Sequence, residues 1–365
     1  MSTKGARKAA GSEDTFRVAG SGTGGGASSG TGRGTRAPAK KATGRAPAKA
    51  APRAARPAPA AKEPKPVPAP PRQDPDPGVI PASAAAGAAR GVGPTGRRTP
   101  KFPDPRKLTR HGPARVLAMC NQKGGVGKTT STINLGAALA EWGRRVLLVD
   151  FDPQGALSVG LGVNPLQLDL TVYNLLMEKD ISLDQVLLKT EVPGMDLLPS
   201  NIDLSAAEVQ LVNEVAREQT LARVLAPVIK EYDVILVDCQ PSLGLLTVNA
   251  LTAADGVIIP LECEFFALRG VALLIQTIEK IQERLNPRLE VEGILATMYD
   301  SRTLHGREVL ARVVEAFGDK VFHTVINRTI RFPETSVAGE PITSYASASS
   351  GAKAYRELAK EVLAR

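Results

Sequence analysis

The alternation of short apolar runs with longer mixed segments is the most regular feature of the chain, and it begins near Arg115. Runs rich in Val, Ile and Leu recur at residues 115–120, 145–150, 234–239, 256–261 and 291–298. Runs of this length are typical of strands buried on both faces of a parallel sheet. The stretches between them predict helices over 128–142, 204–230, 244–253, 266–285, 305–317 and 348–364. This order predicts a doubly wound α/β fold with a mostly parallel sheet, in which ligands bind at the carboxyl ends of the strands.

The first 112 residues lack this pattern and have an unusual composition. They hold 22 Lys and Arg residues against 6 Asp and Glu, together with 17 of the 28 prolines and 17 of the 34 glycines. Phe16 and Phe102 are their only aromatic residues. A segment with so little apolar surface cannot offset the entropy that ordering costs. We therefore predict a long, disordered, basic tail rich in Ala, Pro and Gly over 1–112, and one folded domain over 113–365.

Net charge changes sign at the same boundary, because residues 113–365 carry 24 Lys and Arg against 31 Asp and Glu. Two interpretations of the tail stay open: a solvated linker, or an arm that binds DNA or an acidic partner by releasing counterions. The sequence has no run of 18 apolar residues, so it predicts no integral membrane segment. Its three cysteines form no C-x-x-C pair, which argues against a disulfide framework or a metal cluster. These features predict a cytoplasmic protein.

A glycine-rich loop follows the first predicted strand, where residues 121–130 spell NQKGGVGKTT. The backbone N–H groups of such a loop can cradle phosphate, and the dipole of the next helix favours negative charge. We predict that Lys128 reaches the β- and γ-phosphates and that the Thr129 hydroxyl holds Mg²⁺. Gln122 stands where the usual phosphate-loop motif has its first glycine, and a second lysine, Lys123, follows it. A plain glycine turn would not require two lysines and two threonines.

Acidic residues end two of the predicted strands. Asp150 and Asp152 close one strand, and their spacing of two puts both side chains on the same side of an extended chain. Asp238 closes another strand, as the acid that supports magnesium does in phosphate-loop enzymes. An isolated Asp at a strand end is usually a turn or cap residue. Three of them close to one phosphate loop predict a catalytic site.

These segments together resemble a known family. The segments that carry the resemblance are KGGVGKTT at 123–130, VLLVDFDPQG at 146–155, VDCQPSLGLLTVNAL at 237–251, PLECEFFALRG at 260–270 and the segment from TMYDSRT at 297–303 to 334. They are similar to the ParA/Soj chromosome- and plasmid-partitioning ATPases, relatives of MinD. The resemblance covers nearly all of residues 114–365 and none of the tail. Gln240 and Asn327 each stand where the family usually has proline, and Ser344-Tyr345-Ala346 replaces a common Leu-Tyr-Asp.

The resemblance implies a phosphate-loop NTPase fold of the deviant Walker A type, with ATP and Mg²⁺ as cofactors. It implies that Asp152 orients the attacking water and that Asp150 and Asp238 join Thr129 at the metal. Lys123 would reach across a two-fold interface to the ATP of the other subunit, which gives it a catalytic role beside Lys128 and Asp152. The residues implied in nucleotide binding are Lys123, Gly124, Gly125, Val126, Gly127, Lys128, Thr129, Thr130 and Asn327.

The resemblance also implies how ATP binding is used: the ATP-bound protein forms a sandwich dimer that binds DNA non-specifically and is nucleoid-associated. Arg302, Arg328 and Arg331 are the implied DNA contacts, and a ParB-like centromere-binding protein is the implied partner that stimulates slow basal hydrolysis. Two alternatives stay open: an ATPase that positions another cargo, and a MinD-like regulator at the membrane surface. The second alternative requires the helix predicted over 348–364 to present a free apolar face to lipid.

Overall fold

A computed structural model of the protein describes residues 91–264 and 267–365, so most of the predicted tail, residues 1–90, lies outside the described residues. In the described part, seven strands form one sheet in the order β3-β4-β2-β5-β1-β6-β7. The strands are β1 (Arg115–Met119), β2 (Val146–Phe151), β3 (Leu188–Lys189), β4 (Met195–Leu198), β5 (Val234–Cys239), β6 (Gly256–Glu262) and β7 (Glu290–Thr297). Every neighbouring pair is parallel except β3 with β4.

The prediction of a doubly wound, mostly parallel α/β fold is confirmed, and all five predicted strands are present. The sequence did not indicate β4 and the two-residue edge strand β3. These two strands are too short for an apolar run to be distinguished from the surrounding loop. Their position at the edge of the sheet depends on pairing with β2, which is a long-range contact.

The helices cover both faces of the sheet. They are α1 (Lys128–Glu141), α2 (Ala156–Gly160), α3 (Val172–Met177), α4 (Leu183–Val186), α5 (Leu204–Gln210), α6 (Thr220–Leu225), α7 (Leu245–Ala253), α8 (Ala267–Arg284), α9 (Leu304–Phe317), α10 (Arg331–Ala338), α11 (Ile342–Tyr345) and α12 (Ser350–Ala364). The single helix predicted over 204–230 is wrong, because 3₁₀ turns and the left-handed backbone of Ala216 (φ 54°) separate α5 from α6.

Alternate residues of the central strands enter two separate hydrophobic cores. Val116 and Ala118 of β1 pack into the core beneath α3 to α9, whereas Leu117 and Met119 pack into the core beneath α1 and α12. Burial on both faces explains why the strands appear in the sequence as nearly continuous apolar runs.

Helix α1 packs between the sheet and α12. A Cβ atom at Gly136 would lie 2.7 Å from Cδ2 of Leu148, so a larger residue there would require that side chain to shift. On its other side, the Ser131 hydroxyl and the buried Tyr355 hydroxyl of α12 are 3.1 Å apart and share a hydrogen bond. The beginning of α1 is therefore held between the sheet and α12.

Residues 91–112, which composition assigns to the tail, contact the folded domain at several points. The Arg97 guanidinium donates hydrogen bonds to the carbonyl oxygens of Gly318 (3.0 Å) and Val321 (2.5 Å). Further along, His111 Nδ1 lies 2.7 Å from Oδ2 of Asp233, the residue that precedes β5. The segment has few apolar residues, and polar contacts with backbone carbonyls and a carboxylate hold it instead.

We predict that Arg97→Ala lowers the free energy of unfolding by about 1–3 kcal/mol, because it leaves carbonyl oxygens without their charged donor. Urea unfolding of the full chain measures this change. Arg98→Ala is the matched control, since Arg98 is exposed and its loss should leave the unfolding midpoint unchanged. Equal midpoints for the two variants would contradict an anchoring role for Arg97.

Candidate functional site

The glycine-rich loop lies between β1 and α1, at the carboxyl edge of the sheet. Gly125 (φ 75°) and Gly127 (φ 84°) take the left-handed backbone that turns the chain into the helix. The Thr297 hydroxyl at the end of β7 donates to the Val126 carbonyl at 2.8 Å and holds the loop from the other side. Lys128 is buried at the first position of α1. This arrangement matches an anion-binding loop at a helix N-terminus.

Asp150 and Asp238 lie side by side in this loop's immediate surroundings. The register of β2 with β5 pairs these two residues directly, and both are buried. The Thr129 hydroxyl donates to Oδ2 of Asp238 at 2.6 Å, and the Ser158 hydroxyl donates to Oδ2 of Asp150 at 2.7 Å. Asp152 is the half-buried residue directly after β2, and its Oδ1 accepts a hydrogen bond from the backbone N–H of Gln154 at 3.0 Å.

Burial perturbs both carboxyl groups strongly. Removal from water raises the pKa of Asp238 to about 8, and the charge of the neighbouring Asp150 adds to this effect. The pKa of Asp150 rises to about 6, also chiefly through burial, although its hydrogen bonds with Ser158 oppose the shift. Two adjacent carboxylates in an apolar environment are costly unless a cation compensates them.

This donor set fits Mg²⁺, which prefers oxygen ligands and is usually held by one or two carboxylates together with water and phosphate. In residues 91–264 and 267–365, no group of three or more His, Cys, Asp or Glu side chains is arranged to hold a metal ion. The ion would therefore depend on Thr129, on the two carboxylates and on oxygens from a phosphorylated ligand. Coupling of metal and phosphate binding follows from this arrangement.

Lys123 points away from its own loop and towards the end of β6. Its ammonium group donates to Oε2 of Glu262 at 3.0 Å and also to Glu264. These hydrogen bonds, with that to Glu264 as the larger contribution, raise the pKa of Lys123. Asn121 supports the loop from within, because its Oδ1 accepts the Lys123 N–H at 2.9 Å. Sequence reasoning assigned no role to Glu262 or Glu264, although two acidic residues at the end of a buried strand were a usable signal.

A cavity of about 660 Å³ opens beside the loop on the side of β7. Its lining includes Gly127, Thr130, Thr297, Met298, Asn327, Phe332 and Tyr355. Apolar and aromatic walls next to a phosphate-binding loop suit the adenosine part of a nucleotide. Asn327, expected near the base, is one of the lining residues, so the structure brings it together with Thr130 at the loop.

The three candidate DNA-binding arginines lie close to this same cavity. Arg302 and Arg328 line it, and Arg331 begins α10. All three side chains are at least half exposed, and each contacts a carboxylate. Arg302 bonds to Asp300 at 2.8 Å, Arg328 to Glu262 at 3.5 Å and Arg331 to Glu334 at 2.8 Å. Binding of a phosphate backbone would have to replace these pairs.

Gln240, one of the departures from the family pattern, has a specific contact. Its side-chain amide donates to Oε1 of Glu208 on α5 at 2.8 Å. The same oxygen lies 3.4 Å from the backbone nitrogen of Leu246, which donates to it at the start of α7. The loop after β5 is thereby tied to α5, a link that no local sequence pattern predicts.

The C-terminal helix α12 packs its apolar stripe inward. Tyr355, Leu358, Ala359 and Val362 are all buried in the core that α12 shares with α1. The face that a surface-bound membrane helix would need is therefore occupied by protein contacts. Among the described residues, no helix is both long and apolar enough to cross a membrane.

Comparisons with known proteins agree with this geometry. A protein-family model described as an AAA domain matches residues 114–291. An uncharacterized protein of Mycobacterium tuberculosis is 67% identical over 275 residues, which are 75% of this chain and 86% of that protein. The chromosome-partitioning ATPase Soj of Treponema pallidum is 51% identical, covering 69% of this chain and 98% of its own. The ParA chromosome partitioning protein of Caulobacter vibrioides is 48% identical, with coverages of 69% and 95%.

Two solved structures are similar to this chain in fold. Cobyrinic acid a,c-diamide synthase from Mycobacterium smegmatis, solved with bound ADP and magnesium, is 46% identical with a TM-score of 0.61, covering 68% of this chain and 94% of that chain. The cell division ATPase MinD of Pyrococcus furiosus is 27% identical with a TM-score of 0.57, with coverages of 69% and 99%.

We predict that, without metal and nucleotide, the free energy of unfolding falls by on the order of 1–3 kcal/mol between pH 6 and pH 8. The folded-state pKa of Asp238 is raised, so its contribution to stability is present at low pH and is lost as pH rises towards about 8. Urea unfolding in a chelator measures this change. Asp238→Asn should flatten the pH dependence, whereas Asp169→Asn, at an exposed site, should preserve it. An equally steep fall in Asp238→Asn would contradict the assignment.

Proposed function

We propose a specific mechanism for this chain, which belongs to the ParA/Soj family of partitioning ATPases within the MinD/ParA superfamily. In this mechanism it hydrolyses ATP slowly, dimerises when ATP is bound, and binds DNA non-specifically as that dimer. A ParB-like centromere-binding protein stimulates hydrolysis and so releases the dimer. The observation that carries the proposal is the phosphate loop with two lysines beside the paired carboxylates of β2 and β5.

The chain's own residues divide the work of phosphoryl transfer. The backbone N–H groups of residues 124–129 and the N-terminus of α1 bind the β- and γ-phosphates, and Lys128 neutralises their charge. Magnesium, when bound, adds positive charge at the phosphates and would be held by Thr129, Asp150 and Asp238. Structures of relatives with ADP, or an ATP analog, and magnesium support this choice of cofactors.

Asp152 is the residue assigned to the attacking water. It follows β2 at the same edge of the sheet as the phosphate loop, and its side chain is half-buried. Its carboxylate can accept a proton or orient a water molecule in line with the γ-phosphate. Because the Asp152 side chain is only half-buried, a water molecule can reach it.

Lys123 is assigned a role across the dimer interface. Its side chain extends away from its own loop to the rim of the site, where it is partly exposed. From that position it could contact the phosphates of the ATP bound by a second subunit. ATP would then form part of the interface, and hydrolysis would weaken the dimer.

DNA binding is assigned to Arg302, Arg328 and Arg331 near the mouth of the nucleotide cavity. They lie close together on a domain that is net negative, and each would bind phosphate in place of its present carboxylate partner. Non-specific binding to phosphate requires such a surface but no base contacts. We further propose that the protein is cytoplasmic and nucleoid-associated, and that the basic tail, residues 1–112, adds nucleotide-independent contacts with DNA.

Other functions have weaker support. The membrane-surface alternative needs a free apolar helix face, and the stripe on α12 is buried. The neighbour from Mycobacterium smegmatis carries the name of an amide-forming synthase. Relatives named Soj and ParA match at 47–51% identity over 95–98% of their own length, and we follow these in proposing DNA partition. Positioning of another cargo uses the same chemistry and would appear as a different captured partner.

We predict that Lys123→Ala still binds ATP but loses ATP-driven dimerisation, because its ammonium group serves the other subunit. Lys128→Ala should lose ATP binding itself, since its charge lies within the loop. Fluorescent nucleotide titration measures binding, and light scattering with and without ATP measures dimerisation. Normal ATP-driven dimerisation of Lys123→Ala would exclude the bridging role.

We predict that Asp152→Ala accumulates as a DNA-bound dimer in ATP, because it binds nucleotide but hydrolyses it far more slowly. In that background, Arg331→Glu should abolish the ATP-dependent component of DNA binding while the dimer persists in light scattering. Lys179→Glu, the same charge change at an exposed site on another surface, is the control and should retain DNA. Unchanged turnover in Asp152→Ala, or full DNA binding by Arg331→Glu, would each refute the corresponding assignment.

A further inference from the structure

The end of β6 holds the loop lysine in place through a carboxylate pair. Lys123 donates to Glu262 at 3.0 Å and to Glu264, and its side chain remains about half exposed. The two acids differ in environment, because the Glu262 side chain is 14% exposed and the Glu264 side chain is 55% exposed. The hydrogen bond to Glu264 contributes more to the raised pKa of Lys123, whereas the ion pair with the partly buried Glu262 is less screened by water and salt.

Two hydrogen bonds from side chains of the loop reinforce this placement. The Asn121 amide donates to the Pro260 carbonyl of β6 at 2.6 Å, which links the start of the loop to the strand that carries Glu262. Lys128 donates to the Lys123 carbonyl at 3.1 Å. The two lysines therefore point in different directions: Lys128 lies in the loop, and Lys123 extends to β6.

Glu262 also contacts a second cation. Its other carboxylate oxygen, Oε1, lies 3.5 Å from Nη2 of Arg328, one of the residues that line the nucleotide cavity. One largely buried carboxylate thus holds a lysine of the phosphate loop on one side and an arginine of the cavity rim on the other. Because Glu262 ends β6 and contacts both cations, it holds Lys123 and Arg328 on either side of one carboxylate.

We propose that Glu262 is a positioning residue that holds Lys123 at the rim in the nucleotide-free chain and must release it before Lys123 bridges two subunits. This inference rests on the proposed role of Lys123 in the dimer. The carboxylate keeps the ammonium group from folding back onto the phosphates of its own loop. It also opposes dimerisation, because the ion pair has to break when Lys123 moves to the partner's nucleotide.

The ion pair can be measured directly on the nucleotide-free full chain. Its hydrogen bonds keep Lys123 protonated, which lowers its reactivity towards an acylating reagent. In Glu262→Gln, which keeps the shape but removes the charge, acylation of Lys123 read by mass spectrometry should rise several-fold relative to Lys280. Glu264→Gln, which removes the other hydrogen bond to Lys123, should also raise the labelling. Unchanged labelling of Lys123 in Glu262→Gln would overturn the proposal, and equal thermal midpoints confirm that the variant is folded.

The consequence for assembly is measured by ATP-driven dimerisation. Glu262→Gln should lower the dimer Kd by about three- to tenfold, the range expected for loss of one partly exposed ion pair. In a Lys123→Ala background the same change should have no effect on the residual association measured at high protein concentration. An equal effect in both backgrounds would indicate a merely structural role and would overturn the proposal.

The two hypotheses fail in different ways. If Lys123→Ala dimerises like the wild type, the bridging role is wrong and the release step falls with it. If Lys123→Ala is defective but Glu262→Gln changes neither labelling nor dimerisation, the bridging role stands and the role of Glu262 is refuted.

Discussion

Two carboxylates held next to each other in a dry environment are the constraint on which this site depends. Asp150 and Asp238 are paired by the register of two central strands, and burial raises the pKa of both. The two side chains cannot move away from each other, because each strand is buried on both faces and packed against helices. Rigid strands thus maintain an electrostatic arrangement that is unfavourable by itself and that a divalent cation would relieve.

The positive side chains at the rim of the site are paired with other carboxylates. Lys123 and Arg328 share Glu262, while Arg302 and Arg331 each bond to an acid of their own segment. Exposed pairs of this kind contribute little stability and exchange partners easily. The lysine and arginine side chains can therefore exchange a carboxylate partner for a phosphate group without rearrangement of the fold. In the proposed function, such transfers would couple the binding of nucleotide to the binding of DNA.

The segment before the domain shows that sparse apolar content does not exclude ordered contacts. Residues 97–112 meet the domain through an arginine on backbone carbonyls and a histidine on Asp233. Composition measures the apolar surface that a segment can bury, whereas these contacts depend on polar groups that the domain presents. A purely compositional boundary at residue 112 could not include them.

The sequence by itself determined the doubly wound sheet, because fully buried strands must be apolar along their whole length, and it located the phosphate loop and the acids at strand ends. It also carried the resemblance to ParA/Soj ATPases, which the comparisons confirm. Only the tertiary structure decided which charges meet. Lys123 and Glu262 are 139 positions apart, and Gln240 and Glu208 are 32 apart, so no local pattern links them. Their contacts follow from strand order and loop path, which depend on the packing of the whole domain.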